Sequence, residues 1–125
     1  MPKIKVEFEG IGSLKGEIDE SLNPRTAMEV LSSLPIKGKA MTWGEEIYMV
    51  VPFRVPTEMA SIKVDVGDIA YWPDGPALCF FYGRTPGSQG DSPEAFSAVN
   101  IVGKFEVKKE ILKAVKNGTS ITVRK

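Results

Sequence analysis

The sequence predicts a mainly β fold, a closed eight-stranded barrel accompanied by one or two short helices. Apolar and charged residues alternate with a period of two over residues 3–9, and Ile62, Val64 and Val66 repeat the pattern, as in strands that bury one face. Gly, Pro and Asp separate such segments at short intervals. Closure of the sheet would remove the exposed edges of so many strands in 125 residues.

The first elements are a predicted hairpin and a helix. Residues 3–9 and 14–18 would pair across a loop around Gly10 and Gly12. Asn23 is a suitable helix cap and Pro24 suits the first helical position. An amphipathic stripe follows, and Pro35 ends it; the stripe consists of Ala27, Val30, Leu31 and Leu34.

Extended segments dominate the remainder of the chain. They are predicted over residues 37–52 with a turn at residues 42–46, and over residues 62–73, 77–82, 99–107 and 120–124. Residues 84–98 are rich in Pro, Gly and Ser and are predicted to form one long, functional loop. Gly103 marks a bend or bulge, and residues 108–117 predict a short second helix that ends at Gly118.

Composition limits the class of protein. The chain has 16 basic and 16 acidic residues, so we expect no general attraction to nucleic acid or to an anionic membrane. It has no apolar run of the ~20 residues that span a bilayer. The N-terminus lacks the apolar stretch of a signal peptide, and a single Cys fits a reducing compartment. We therefore expect one cytoplasmic domain over residues 1–125.

Three segments carry a resemblance to a known family. They are Gly-Asp-Ile-Ala-Tyr-Trp-Pro-Asp-Gly-Pro at residues 67–76 with its continuation to residue 86, Thr-Trp-Gly-Glu-Glu-Ile-Tyr at residues 42–48, and Asn-Ile-Val-Gly at residues 100–103. Together they resemble small prokaryotic cyclophilin-like proteins of unassigned function, over essentially the whole chain. The resemblance implies an eight-stranded barrel closed by helices, and it implies no activity.

True cyclophilins are peptidyl-prolyl isomerases with a catalytic Arg in a Phe-His-Arg-Val-Ile-Pro pattern. The matching residues 47–52 here place Met49 at the Arg position, and a thioether cannot stabilise a twisted amide as a cation does. We therefore do not expect an active isomerase. The alternative is an isomerase that uses Arg54 or Arg84, or another enzyme without His that uses Glu45.

The chain contains no His, which excludes catalytic triads and His-ligated zinc. It has no phosphate-binding loop or dinucleotide fingerprint. Cys79 lies in an apolar strand and is interpreted as an inert, buried thiol. We therefore expect no cofactor and no metal, and no catalytic residue can be assigned.

Aromatic and charged side chains concentrate in the segments that carry the resemblance, and they predict a binding pocket on one barrel face. The proposed ligand is a small molecule or an extended peptide. Glu45 and Glu46 are adjacent, so at most one of them faces the pocket, and the same holds for Tyr71 and Trp72. If there is no ligand, exposed aromatic side chains would instead form an interface, for example in a homodimer. The predicted lining is Trp43, Glu45, Tyr48, Trp72, Phe81, Arg84 and Phe96.

Overall fold

The structure, a computed structural model, describes residues 1–125 as one ten-stranded sheet with two helices. The strands are β1 (Lys3–Phe8), β2 (Gly12–Ile18), β3 (Ile36–Lys39), β4 (Met41–Thr42), β5 (Glu46–Val50), β6 (Ser61–Lys63), β7 (Asp68–Trp72), β8 (Ala77–Phe81), β9 (Glu94–Phe105) and β10 (Ser120–Arg124). The helices are α1 (Pro24–Ser33) and α2 (Lys109–Leu112). Neither helix combines the length and the apolar character needed to cross a membrane.

The strand order corrects the predicted barrel. Hydrogen-bonded neighbours run β3-β10-β1-β2-β9-β7-β8-β5-β4, all antiparallel, and β6 pairs separately with β9. The sheet therefore has ten strands instead of eight, and hydrogen bonds do not close it, because β3 and β4 are its two ends.

The two ends of the sheet adjoin at Ala40, which separates β3 from β4. Its N–H donates to the Thr119 carbonyl at 2.7 Å, and its own carbonyl accepts the Gly118 N–H at 2.8 Å. Because both backbone groups of Ala40 bond to the turn before β10, the extended segment predicted from residue 37 divides there into two short strands.

Helix α1 begins at Pro24 as predicted, but its first turn is capped by a distant residue. The Glu58 carboxylate accepts the backbone N–H of Arg25 at 3.2 Å and of Thr26 at 2.8 Å. Asn23 occupies the predicted N-cap position, but its side chain makes no capping hydrogen bond. Its amide donates to the Ile101 carbonyl and its side-chain oxygen accepts the Met59 N–H. The helix start is thus joined to the loop after β5 and to β9.

Strands β5, β7 and β8 are buried on both faces. Their inward side chains, such as Ile47, Tyr71 and Phe80, belong to the main core. Their outward side chains pack with side chains of β9 and with Val64 to form a second apolar cluster. Its members are Val64, Ala70, Cys79, Phe81, Ala95 and Val99, with Tyr48, Trp72 and Ile101 packed against it. The loop predicted over residues 84–98 is shorter than expected, because β9 already begins at Glu94.

Replacement of Tyr71 by Phe is expected to lower the free energy of unfolding by about 1–3 kcal/mol, because it leaves a buried backbone donor without a partner. The Tyr71 hydroxyl accepts the Val55 N–H at 2.9 Å and donates to the Phe53 carbonyl at 3.3 Å. Urea unfolding would measure the loss. Tyr48→Phe is the matched control, since Tyr48 is only partly buried; equal stabilities of the two variants would contradict the assigned role.

Candidate functional site

A pocket of about 240 Å³ opens on the outer face of β5, β7 and β8. Strand β9 and the turn before β5 form its rim. The lining is aromatic and aliphatic apart from one carboxyl group and one thiol, and it consists of Trp43, Glu46, Tyr48, Trp72, Cys79, Ala95, Phe96 and Val99. It thus has the composition of many small-molecule sites, which are mainly apolar with few polar groups.

Four aromatic rings form adjoining walls of the pocket. Phe96 lies 5.8 Å from Trp43 and 6.0 Å from Trp72 between ring centroids, and Tyr48 lies 6.1 Å from Trp72. The ring planes in these pairs meet at 78° to 79°, so neighbouring rings are nearly perpendicular. Phe96 is 74% exposed, although large apolar side chains are usually covered. The walls are therefore arranged around an open space without stacking on one another.

Trp72 is held in place by a short polar chain. Its indole N–H donates to Ser97 Oγ at 2.6 Å, and that hydroxyl donates to Asp74 Oδ2 at 2.7 Å. Because side chains alternate along β7, Tyr71 points into the main core and Trp72 points outward. The structure thus answers which of these two residues faces the pocket.

The carboxyl group at the pocket belongs to Glu46, which is 6% exposed. A turn places it there, with reciprocal backbone hydrogen bonds between Trp43 and Glu46 and with Gly44 at a φ of +60°. Glu46 and Tyr48 lie on the same face of β5, and Cys79 lies opposite Tyr48 on β8. The first residue of β5 thereby brings an acid into an apolar site.

Burial raises the pKa of Glu46 from 4.5 to about 7, and a hydrogen bond with the Cys79 thiol opposes this rise only in part. Burial also raises the pKa of Cys79 well above its usual range, and the neighbouring Glu46 carboxylate adds to the effect. The thiol is therefore protonated near neutral pH, whereas the carboxyl group can exchange its proton there. A carboxyl group with a pKa near neutrality can bind a cation when ionised or donate a hydrogen bond when protonated.

Glu45, predicted as a site residue, lies outside the pocket. Its carboxylate is 3.9 Å from the Lys109 Nζ and 3.8 Å from the Lys113 Nζ, so it faces the region of α2. The alternation of strand residues explains the difference, because Tyr48 faces outward and Glu46, two residues before it, shares that face. The same rule could have identified Glu46 from the sequence.

Phe81 and Arg84, also predicted to line the site, lie elsewhere. Phe81 is fully buried in the second cluster and does not reach the pocket surface. Arg84 is exposed, and its guanidinium donates to the Ser88 carbonyl at 3.3 Å within the loop. Of the predicted lining, the structure brings together Trp43, Tyr48, Trp72 and Phe96.

Met49 lies on the other face of β5, fully buried in the main core. The residue at this position therefore cannot act in the pocket, whatever its chemistry. The pocket lining itself contains no Lys or Arg. No group of three or more acidic or Cys side chains is placed to hold a metal ion.

Comparisons with known proteins agree with this architecture. Residues 2–124 match the family model described as cyclophilin-like. A hypothetical protein, AF2241 from Archaeoglobus fulgidus, whose solution structure is known, is 36% identical, with a TM-score of 0.80 over 98% of this chain and 92% of that one. McbB, solved in complex with tryptophan, shares 16% identity and a TM-score of 0.71 over 98% of this chain and 44% of that one. No curated protein matches the chain.

Proposed function

Because this chain belongs to the cyclophilin-like family, which supplies a fold and no settled activity, we propose from the pocket itself that the protein binds a small molecule. The ligand would lie between Trp43, Tyr48, Trp72 and Phe96, with a polar group directed at Glu46. The observation that carries this proposal is an open, apolar pocket containing a single buried acid.

The size of the pocket favours a small ligand over an extended peptide. Its volume of about 240 Å³ corresponds to about eight liquid waters, which suits a compact molecule or one side chain. Burial raises the pKa of the Cys79 thiol, so this residue stays protonated and is proposed to contact the ligand without acting as a nucleophile. A cytoplasmic location, where Cys79 stays reduced, belongs to the same proposal.

Ligand-observed NMR with a set of small metabolites tests the proposal, and tryptophan belongs in the set because McbB binds it. Phe96→Ala is expected to weaken any specific hit about tenfold by removing one aromatic wall. Phe96 is largely exposed, so the variant should fold normally. Urea unfolding of the variant would verify this.

Met59→Ala is the matched control, because Met59 is similarly exposed and does not line the pocket. Hits that persist equally in both variants would show binding elsewhere on the molecule. The absence of any hit that responds to Phe96→Ala would reject the proposal.

A further inference from the structure

Glu46 differs from the other strongly buried acid of the protein in having no cationic partner. The Asp68 side chain is 3% exposed and forms an ion pair with Lys104. Some of the more exposed acids are also paired, as Glu7 is with Arg124 and Glu45 with Lys109. Burial of an ionised carboxylate without a counter-charge is unfavourable. A cationic ligand would therefore supply the positive charge that no side chain provides at Glu46.

The aromatic walls provide the second half of a cation site. A ring face attracts an ammonium group, and several rings around one space form the cage that recognises alkylated ammonium ions. Here Trp43, Phe96, Trp72 and Tyr48 are linked by three nearly perpendicular contacts. Two of the four are tryptophans, whose rings bind cations best.

We infer that the pocket selects a small organic ammonium ion, held between the four aromatic rings with its charge against the Glu46 carboxylate. This inference rests on the proposed function and specifies the class of ligand. Alkyl groups on the nitrogen would contact the apolar lining, and the positive charge would complete an ion pair with a carboxylate that is itself only 6% exposed. A neutral ligand of the same shape would gain only the apolar contacts.

Binding of such a cation would depend on pH. The titratable groups of the lining are Glu46 and Tyr48 on β5 and Cys79 on β8, while β7 and β9 contribute none. Burial holds the pKa of Glu46 at about 7 and keeps Cys79 protonated. Only ionised Glu46 pairs with the cation, so affinity should rise about tenfold between about pH 6 and about pH 8.

Choline and its neutral carbon analogue, in which a tert-butyl group replaces the trimethylammonium group, form a matched pair of probes. We expect choline to bind at least about tenfold more tightly at about pH 8, as measured by chemical-shift titration of the Trp43 and Trp72 indole resonances. Glu46→Gln should reduce this preference to the attraction of the rings alone and should abolish its pH dependence. Glu45→Gln should retain both, because Glu45 faces away from the pocket.

The outcomes separate this inference from the function on which it rests. Equal affinity for the two probes, or a preference whose size and pH dependence are unchanged in Glu46→Gln, would overturn the assignment of an ammonium ion paired with Glu46. Binding of neutral or anionic metabolites without binding of any ammonium compound would also overturn it and leave a general apolar binding site. If neither probe binds and no metabolite responds to Phe96→Ala, the inference and the proposed function both fail.

Discussion

Glu46→Gln is expected to stabilise the empty protein by up to about 3 kcal/mol at about pH 8 and to change its stability little at about pH 4. The carboxyl group has a pKa of 4.5 when exposed and about 7 in the pocket. Below the lower value the group is protonated in both the folded and the unfolded state. Between the two values the folded state binds the additional proton, so the free energy of unfolding falls as the pH rises.

Glutamine resembles the protonated carboxyl group in shape and cannot ionise. The variant therefore does not lose free energy of unfolding at this site as the pH rises. Urea unfolding of both proteins at several pH values would measure the difference, in which the titration of all other groups cancels. Glu45→Gln serves as the control and should show no comparable pH-dependent gain. A Glu46→Gln difference that is constant with pH would contradict a raised pKa, and direct NMR titration of the Glu46 side chain would provide an independent measurement.

Local patterns were sufficient to predict most of the elements. Alternation predicted β1 and β2, and the sequence Asn-Pro followed by an apolar stripe predicted α1. The second helix is shorter than the predicted residues 108–117, since only Lys109–Leu112 is helical. The capping of α1 by Glu58 could not be predicted, because it depends on a contact between residues more than thirty positions apart.

The pocket residues were harder to predict because β5, β7 and β8 are buried on both faces. Alternation normally separates a buried face from a solvated one, but here the outward side chains pack with side chains of β9 and with Val64. Because both faces are buried, the apolar character of Phe81 and Cys79 does not show which face of β8 holds the site. Aromatic content identified four lining residues, whereas the choice of Glu46 over Glu45 required the alternation to be counted from Tyr48.

Strand β9 belongs both to the main sheet and to the pocket, although residues 94–98 at its start were predicted to be part of a loop. The first half of β9 carries Phe96 and pairs with β6, and its second half pairs with β7 and β2. The predicted irregularity at Gly103 is confirmed, because the register with β7 shifts between Ile69 and Ala70, leaving Val102 as the additional residue. The pocket wall and the main sheet therefore depend on the same strand.

Gly103→Ala is expected to lower the free energy of unfolding by at least about 3 kcal/mol. A Cβ atom at this position would overlap the Glu17 carbonyl oxygen and lie 3.1 Å from Ile18 Cα. Both neighbours are backbone atoms of β2, paired with β9 in this region, so no side chain can rotate to relieve the contact. The strands must separate, which removes ladder hydrogen bonds and opens the core beneath them.

Gly90→Ala is the matched control, because no atom lies within 4 Å of a Cβ placed there and the backbone is not in the left-handed region. It should retain the stability of the original protein in urea unfolding. Similar unfolding midpoints for the two variants would show that β2 and β9 are not held in close backbone contact at Gly103. A Gly103→Ala protein that folds but loses amide protection only in β2 and β9 would place the damage in that pair of strands, as the geometry requires.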